Sequence, residues 1–208
     1  MSTKKKKKKK KDNHTFIDKH NRPIQSISKD FNSYKLLLSE LKEFEEEVIT
    51  LEQPGNNAKY IKGKSKGIHT ILGDEILLEA ELKASNYTSI RLKLFSKERI
   101  VEGVPFFRFE SDGPAHFNNI PGSDLQLVQT PHFHKYESCG QYIAYRPNGL
   151  SDDNTAIQVL TDIDSAITVF CQESNLKTTK NNELVVNILP SELPLSQIQD
   201  DPNANHSF

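Results

Sequence analysis

The sequence of 208 residues has no tryptophan, one methionine and only two cysteines, Cys139 and Cys171. Two cysteines are too few for a disulfide framework, which favours a cytoplasmic protein over a secreted one. No apolar run approaches the roughly 18 residues that span a bilayer, so we do not expect this chain to be a transmembrane protein. The first apolar residue after Met1 is Phe16, so we also expect no secretory leader.

Several catalytic motifs are also missing. The sequence has no G-x-G-x-x-G, no Walker loop, no G-x-S-x-G and no H-E-x-x-H. These absences argue against a nucleotide-driven enzyme, a serine hydrolase of the elbow type and a zincin protease. A nucleophilic Cys139 is a weak alternative, because a catalytic thiol needs a partner that lowers its pKa.

The net charge of −1 is the sum of two unlike parts. Lys4–Lys11 is a run of eight lysines, and without it 19 basic residues face 28 acidic ones. The run is either a tolerated homopolymer or a polycation that attracts nucleic acid or anionic lipid without sequence preference. The acidic remainder argues against a protein that binds nucleic acid over its whole surface.

The chain divides into a polar tail over residues 1–27, a single domain over residues 28–189 and a second tail over residues 190–208. Both ends have little apolar periodicity, so we expect them to be disordered. Apolar residues spaced by three and four predict a long helix from Asp30 to Gln53 and a second helix from Asn154 to Gln172. Between the first helix and the strands, the lysine-rich segment 55–67 is typical of a soluble loop.

The period changes to two over Ile76–Lys83, Ile90–Leu94 and Phe107–Phe109, which predicts strands with one dry face and one wet face. For Ile76–Lys83 a helix is the alternative, because Glu, Leu, Ala and Lys favour helix. A short strand is also expected over residues 185–189. We therefore predict an α+β domain with an antiparallel sheet of five to seven strands, a long N-terminal helix and a second C-terminal helix.

Three of the seven histidines fall between residues 116 and 134, and they form the most informative feature of the sequence. On an extended strand His132, His134 and Tyr136 share one face. If Cys139 and Gly140 form a two-residue turn, the returning strand brings Tyr145 opposite His134. His116 lies in a Gly-, Pro- and Asn-rich loop that can fold over this patch.

The first hypothesis for this patch is metal-independent cleavage of RNA or a related phosphodiester. Imidazoles titrate near pH 6.5, so one can act as a base while its neighbour acts as an acid. In this hypothesis His132 and His134 are the acid and the base, and His116 assists. Tyrosines orient the substrate and a cation holds the phosphate; the candidates are Tyr136, Tyr145, Arg146, Lys135 and Arg108.

Two alternatives remain open. In one, His116, His132 and His134 bind Zn, Fe or Mn, and Glu137 is not a ligand because it would point to the opposite face of the strand. In the other, the histidines are structural and the chain is a non-catalytic module that binds a protein or a nucleic acid. Nitrogens scattered by more than about 10 Å would contradict both site hypotheses.

The segment from residue 112 to residue 136 resembles an uncharacterised bacterial family, a domain of unknown function. The family pattern is a Gly-Pro-x-His-x-Asn loop, a Pro-His-x-His-x-Tyr strand, an aromatic-Ala-aromatic strand and a helix with a late Phe and Asn. The resemblance spans about residues 90–176. It implies a small cytoplasmic bacterial protein of the kind found among toxins and phage-defence factors, with RNA or a cognate inhibitor protein as expected partners. The matching residues are Gly113, Pro114, His116, Asn118, Pro121, Gly122, Pro131, His132, His134, Tyr136, Tyr142, Ala144, Tyr145, Phe170 and Asn175.

Two positions depart from the family pattern. The family's Pro-Asp-Gly turn is Pro121-Gly122-Ser123-Asp124 in this chain, so a role for the aspartate does not carry over. The usual tryptophan before the alanine is Ile143.

Overall fold

The computed structural model describes residues 23–53, 59–100, 103–120, 122–180 and 182–189. It has mixed helices and strands around a large, mostly antiparallel sheet, which confirms the predicted α+β class. In the described part of the chain, no helix is long and apolar enough to cross a membrane. The Lys4–Lys11 run and the tail over 190–208 lie outside the described residues.

The described elements comprise four α-helices, one 3-10 turn and twelve strands. They are α1 (Gln25–Lys29), α2 (Phe31–Ser39), β1 (Lys42–Phe44), β2 (Val48–Leu51), β3 (Tyr60–His69), β4 (Glu75–Lys83), β5 (Asn86–Ser96), β6 (Phe107–Glu110), β7 (His116–Asn118), β8 (Gln126–Val128), β9 (His132–Tyr136), β10 (Tyr142–Tyr145), a 3-10 turn (Asn148–Leu150), α3 (Asp153–Thr161), α4 (Ile163–Glu173), β11 (Leu176–Thr178) and β12 (Val185–Ile188).

Eight of these strands form the main sheet, in the order β10-β9-β6-β5-β4-β3-β1-β11. All neighbours are antiparallel except β1 and β11, which are parallel. The prediction of five to seven strands was therefore too low. Two small sheets complete the described fold, a parallel pair of β2 with β12 and the antiparallel hairpin of β7 with β8.

The two faces of the main sheet differ in chemistry. One face is apolar, and on it Phe107 and Phe109 pack against Phe170 of α4 at ring-centroid distances of 6.0 and 6.4 Å. Phe133 of β9 stacks on Phe107 and is fully buried. The alternation of strand side chains puts charged residues and histidines on the opposite face, which we call the polar face. The residues of the polar face are Lys62, Lys64, Glu79, Glu81, Arg91, Lys93, Arg108, Glu110, His132 and His134.

The predicted helix from Asp30 to Gln53 is wrong beyond Ser39. Helix α2 ends there, and the chain continues as β1 and β2. Phe44 is fully buried whereas Val48 is 47% exposed, although a helical stripe would bury both. The two strands form because β11 and β12, more than 100 residues further along the chain, supply their hydrogen-bonding partners.

The prediction of a loop over residues 55–67 is wrong from Tyr60 onward, and residues 55–58 lie outside the described part of the chain. Strand β3 begins at Tyr60, and its lysines alternate with Gly63, Ser65 and Gly67 on the buried side. A side chain at Gly63 would collide with the carbonyl oxygen of Thr50, so glycine allows β2 to cross close to β3. Because the buried residues are small rather than apolar, the usual strand pattern is hidden.

The predicted helix from Asn154 to Gln172 is divided into α3 and α4 at Asp162. Its side chain accepts a hydrogen bond from the Ser165 backbone N–H at 2.9 Å, which caps α4. Ile157 is 57% exposed rather than part of the apolar stripe. The strands predicted from alternation are confirmed as β4, β5 and β6, and the last predicted strand is β12. Helix α1 lies partly inside the segment assigned to the N-terminal tail.

Candidate metal-binding site

Two adjacent strands place three potential metal ligands side by side on the polar face. In the antiparallel pairing of β6 with β9, Glu110 lies opposite His132 and Arg108 lies opposite His134. Alternation along β9 sends the Phe133 ring to the apolar face, where it anchors the strand. The histidine spacing of two therefore brings both imidazoles to the carboxylate.

The carboxylate and the two imidazoles converge on one point. Glu110 Oε2 lies 3.6 Å from His132 Nε2 and 3.7 Å from His134 Nε2, and one ligand atom from each residue lies within 4.8 Å of the others. These separations are too long for hydrogen bonds. They are close to the spacing of about 3.4 Å expected between ligand atoms that surround one tetrahedral metal ion at about 2.1 Å.

The hydrogen bond of His132 fixes which of its nitrogens faces the carboxylate as a lone pair. His132 Nδ1 lies 3.2 Å from the carbonyl oxygen of Gln129, an acceptor, so we assign the proton to Nδ1. In the neutral ring Nε2 then presents a lone pair to Glu110. A lone pair and a carboxylate oxygen that face each other in a buried place repel each other, and a bound cation between them would relieve that repulsion.

His134 is neutral at physiological pH. Burial, reinforced by the charge of Arg108, lowers the pKa of His134 to about 3 against the opposing effect of Glu110. Neither ring nitrogen of His134 has a hydrogen-bond partner among the residues that the structure describes. Tyr142 stacks on the ring at a centroid distance of 4.9 Å and fixes its plane. A neutral, fixed imidazole is the form that binds a metal ion.

Two arginines occupy the other oxygen of Glu110. Arg91 Nε lies 2.9 Å and an Arg108 terminal nitrogen 2.6 Å from Oε1. Burial acts to raise the pKa of Glu110, but the charge and the hydrogen bond of Arg108 act to lower it, and that pKa lies well below its ordinary range. The carboxylate is therefore ionised, and its Oε2 is directed at the histidines.

His116 approaches the cluster from the hairpin of β7 and β8. Its ring centroid lies 5.0 Å from that of His134 and 6.3 Å from that of His132. Asn118 fixes this hairpin to the edge of the main sheet, because its amide donates to the Ala144 carbonyl at 2.7 Å and its oxygen accepts from the Ala144 N–H at 2.8 Å. The Asn118 side chain thus takes the place of a neighbouring strand at β10.

The structure brings four of the predicted site residues together. The rings of His116, His132 and His134 have centroids between 4.6 and 6.3 Å apart, so the histidines are not scattered. Tyr136 lies on the same face of β9 and contacts Tyr142 at a centroid distance of 4.9 Å. Burial raises the pKa of Tyr136, so its phenol stays protonated.

The predicted position of Tyr145 is wrong. The hairpin pairs Tyr136 with Tyr142 and His134 with Ala144, one residue away from the predicted register. A shift of one residue moves every side chain to the other face of the sheet. Tyr145 therefore packs against Phe133 on the apolar face, and its hydroxyl donates to Glu173 at 2.8 Å.

Of the predicted phosphate-binding cations, only Arg108 lies at the cluster. Lys135 is on the apolar face, with its ammonium 4.4 Å from the centroid of the Tyr145 ring. Arg146 directly follows β10 and is partly buried. Within the described part of the chain, no hydrogen bond or ion pair joins Arg146 to the histidines.

Cys139 lies in the exposed hairpin turn, while burial raises the pKa of Cys171 to about 12.

Glu110 is the site residue that sequence reasoning missed. It ends a strand whose alternation was recognised through Phe107 and Phe109, and Arg108 marks the same face. The missing information was that β6 pairs with β9, across the 21 intervening residues 111–131, which include the β7 and β8 hairpin. No family model, no curated protein and no solved structure matched this chain. The resemblance to the bacterial family accordingly stays a prediction.

Proposed function

We propose that this protein binds one divalent transition-metal ion through Glu110, His132 and His134. The observation that carries the proposal is the convergence of the Glu110 and His132 acceptor atoms and the His134 ring on one buried point. Two imidazoles and one carboxylate suit Zn, Fe or Mn, the metals expected from the sequence. Glu110 is proposed as the third metal ligand, the role predicted for His116 from the sequence.

A set of three protein ligands supports a catalytic centre over a structural one. Structural zinc sites usually have four protein ligands, whereas catalytic sites leave a position for water or substrate. His116 is partly exposed and lies edge-on to both histidines. It is the residue best placed to be a fourth ligand or to exchange protons with a bound water.

Metal content of the purified full chain tests the proposal. We expect about one equivalent of Zn, Fe or Mn by elemental analysis, or stoichiometric binding after chelation and reloading. The measurement belongs in a Cys139→Ser background, because an exposed thiol can bind zinc by itself. X-ray absorption should show only light (nitrogen or oxygen) neighbours, with the outer-ring scattering of at least two imidazole ligands.

Matched variants separate the site from unspecific binding. His132→Ala and His134→Ala should abolish stoichiometric binding, and Glu110→Gln should weaken it at least about tenfold. Glu137→Gln is the control, since Glu137 directly follows the same strand and is not one of the three converging ligands. A wild-type chain that binds none of the three metals, or a His134→Ala variant that binds as well as wild type, contradicts the proposal.

The ribonuclease hypothesis stays a prediction, with RNA and a cognate inhibitor as predicted partners. Its main obstacle is access, because the side chains of His132 and His134 are each 1% exposed. A neutral His134 is also a poor general acid. RNA integrity in cells that express wild type or the His132→Ala, His134→Ala double variant tests it.

The cytoplasmic location likewise stays a prediction, which two unpaired cysteines support.

A further inference from the structure

A pocket of about 520 Å³ opens on the polar face next to the histidines. The strand register defines its place, because Lys64, Glu79, Lys93 and Arg108 follow one another across β3, β4, β5 and β6. The next residue in this row is His134 on β9. The pocket and the candidate metal site are therefore neighbours on one surface.

Two side chains belong to both the pocket and the candidate metal site. Arg108 lines the pocket and pairs with Glu110 at 2.6 Å. Tyr142 lines the pocket and stacks on His134 at 4.9 Å. A molecule held in the pocket thus lies one side chain away from two of the three proposed metal ligands, Glu110 and His134.

The lining combines cations with an apolar floor. Four lining residues are cationic and one, Glu79, is anionic; the cations are Lys64, Lys93, Lys97 and Arg108. The apolar part of the lining consists of Leu77, Phe95, Val104, Pro105 and the rings of Tyr136 and Tyr142. A volume of this size is typical of pockets for small organic molecules.

The cations keep donors for a ligand although acidic neighbours pair with them. Lys93 contacts Glu79 at 3.2 Å and Glu81 at 2.6 Å, so one of its three ammonium hydrogens is left over by these two contacts. Lys64 contacts Glu79 at 3.1 Å and is 58% exposed. The row has three cations and one anion, with Lys93 and Arg108 side by side, so it has room for one more carboxylate or phosphate.

We propose that this pocket binds a small organic anion with an aromatic or aliphatic body, and that this molecule is the substrate of the neighbouring metal centre. The acidic group pairs with the Lys64–Lys93–Arg108 row, and the body packs on Phe95 and Val104. The substrate role rests on the proposed metal site, whereas binding in the pocket does not.

Binding of 1-naphthoate to the full chain tests the ligand class. Its matched controls are 1-naphthylmethanol and 1-naphthylmethylammonium, which have the same ring and a neutral or positive group. We expect naphthoate to bind at least about tenfold more tightly than the ammonium compound, because one favourable and one unfavourable charge contact separate them. Equal affinities for the three compounds overturn the proposal.

A pair of lysine variants tests the location. Lys64→Glu should weaken naphthoate binding at least about threefold, since it reverses a charge at the rim of the pocket. Lys66→Glu is the matched control, because Lys66 is the next residue on the same face of β3, is 66% exposed and does not line the pocket. Equal effects of the two variants overturn the proposed location.

Paramagnetic broadening tests the neighbourhood of the metal. In protein loaded with Co²⁺, the naphthoate NMR signals should broaden strongly relative to protein loaded with Zn²⁺. Tight binding without broadening, in protein shown to hold Co²⁺, overturns the substrate role. If naphthoate binds but no metal does, the proposed metal function fails while the anion pocket stands. If metal binds but naphthoate does not, only the pocket proposal fails.

Discussion

At the residue scale, the buried His134 imidazole should make the free energy of unfolding depend on pH in the acid range. The pKa of His134 falls from 6.5 to about 3 on folding. Between these values the unfolded chain holds a proton that the folded chain lacks, so the free energy of unfolding falls as the pH falls. One such proton contributes a slope of up to about 1.4 kcal/mol per pH unit.

The His134→Gln variant should lose this contribution. In metal-free protein with a chelator present, urea unfolding between pH 5 and 6.5 should show a flatter pH dependence for the variant than for wild type. Glu137→Gln should keep the wild-type slope, since it leaves the buried His134 imidazole unchanged. Identical slopes for wild type and His134→Gln would show that the folded imidazole takes up its proton normally.

Asn118 is a positioning residue for His116, two residues away on β7. Asn118→Asp keeps the shape but replaces the N–H group that donates to the Ala144 carbonyl with an acceptor. We expect a loss of about 1–3 kcal/mol of stability, because two buried acceptors then face each other. We also expect metal affinity to fall at least about tenfold, as for other residues that hold a ligand in place.

The exposed neighbour provides the control for this prediction. Asn119→Asp introduces the same charge one residue later, where the side chain is exposed. Metal titration and the NMR signal of the Ala144 amide should both change in Asn118→Asp and stay constant in Asn119→Asp. An unchanged metal affinity in Asn118→Asp, with a shifted Ala144 signal, would remove His116 from the site.

At the element scale, Lys42 joins two helix ends. Its ammonium is fully buried and donates to the carbonyl oxygens of Leu38, Glu40 and Ser174 at 2.9, 2.7 and 2.7 Å. These carbonyls lie near the C-terminal ends of α2 and α4, where helices leave acceptors unsatisfied. Burial lowers the pKa of Lys42 to about 7, and three acceptors offset part of that cost.

Lys42→Met should lower the free energy of unfolding by about 2–4 kcal/mol, because it leaves three carbonyls without their donor. Lys177→Met, at an exposed position of the paired strand β11, should change it by less than about 0.5 kcal/mol. Denaturant unfolding of both variants measures the difference. Equal stabilities would mean that water satisfies the carbonyls in place of the ammonium.

The elements that the sequence predicted correctly are those whose pattern is local. Strands β4, β5 and β6 alternate apolar residues with charged ones, so their faces could be identified directly. Strands β1 and β2 could not, because their pairing partners are far away in the chain and the preceding helix shares their apolar spacing. Strand β3 was not predicted for a different reason. Glycine and serine occupy much of its buried side, so its sequence lacks the usual alternation of apolar and polar residues.

At the scale of the whole molecule, the candidate site depends on the order of the strands. The histidine spacing on β9 predicted one shared face, which the structure has. The carboxylate comes from β6, and only the pairing of β6 with β9 places Glu110 opposite His132. Pairing between distant strands is set by the packing of the complete sheet, so Glu110 could not be assigned from its neighbours in the sequence.

The same sheet couples metal binding to global stability. The three ligands lie on two adjacent strands, β6 and β9, that are far apart in the sequence, and the unfolded chain does not hold them together. A metal ion at 100 times its Kd should therefore raise the free energy of unfolding by about 2.7 kcal/mol. For a domain of this size that corresponds to an increase in Tm of about 5–10 °C.

Thermal unfolding with and without a chelator measures this effect. The increase in Tm should appear in wild type and Glu137→Gln, and it should be absent in the His132→Ala, His134→Ala double variant. The double variant should also unfold at a lower temperature than metal-free wild type, because it loses two buried side chains. Comparison within each variant, metal against chelator, separates that packing loss from the loss of metal. A wild-type Tm that stays constant over a thousandfold range of Zn²⁺, Mn²⁺ and Fe²⁺ concentrations would contradict metal binding by Glu110, His132 and His134.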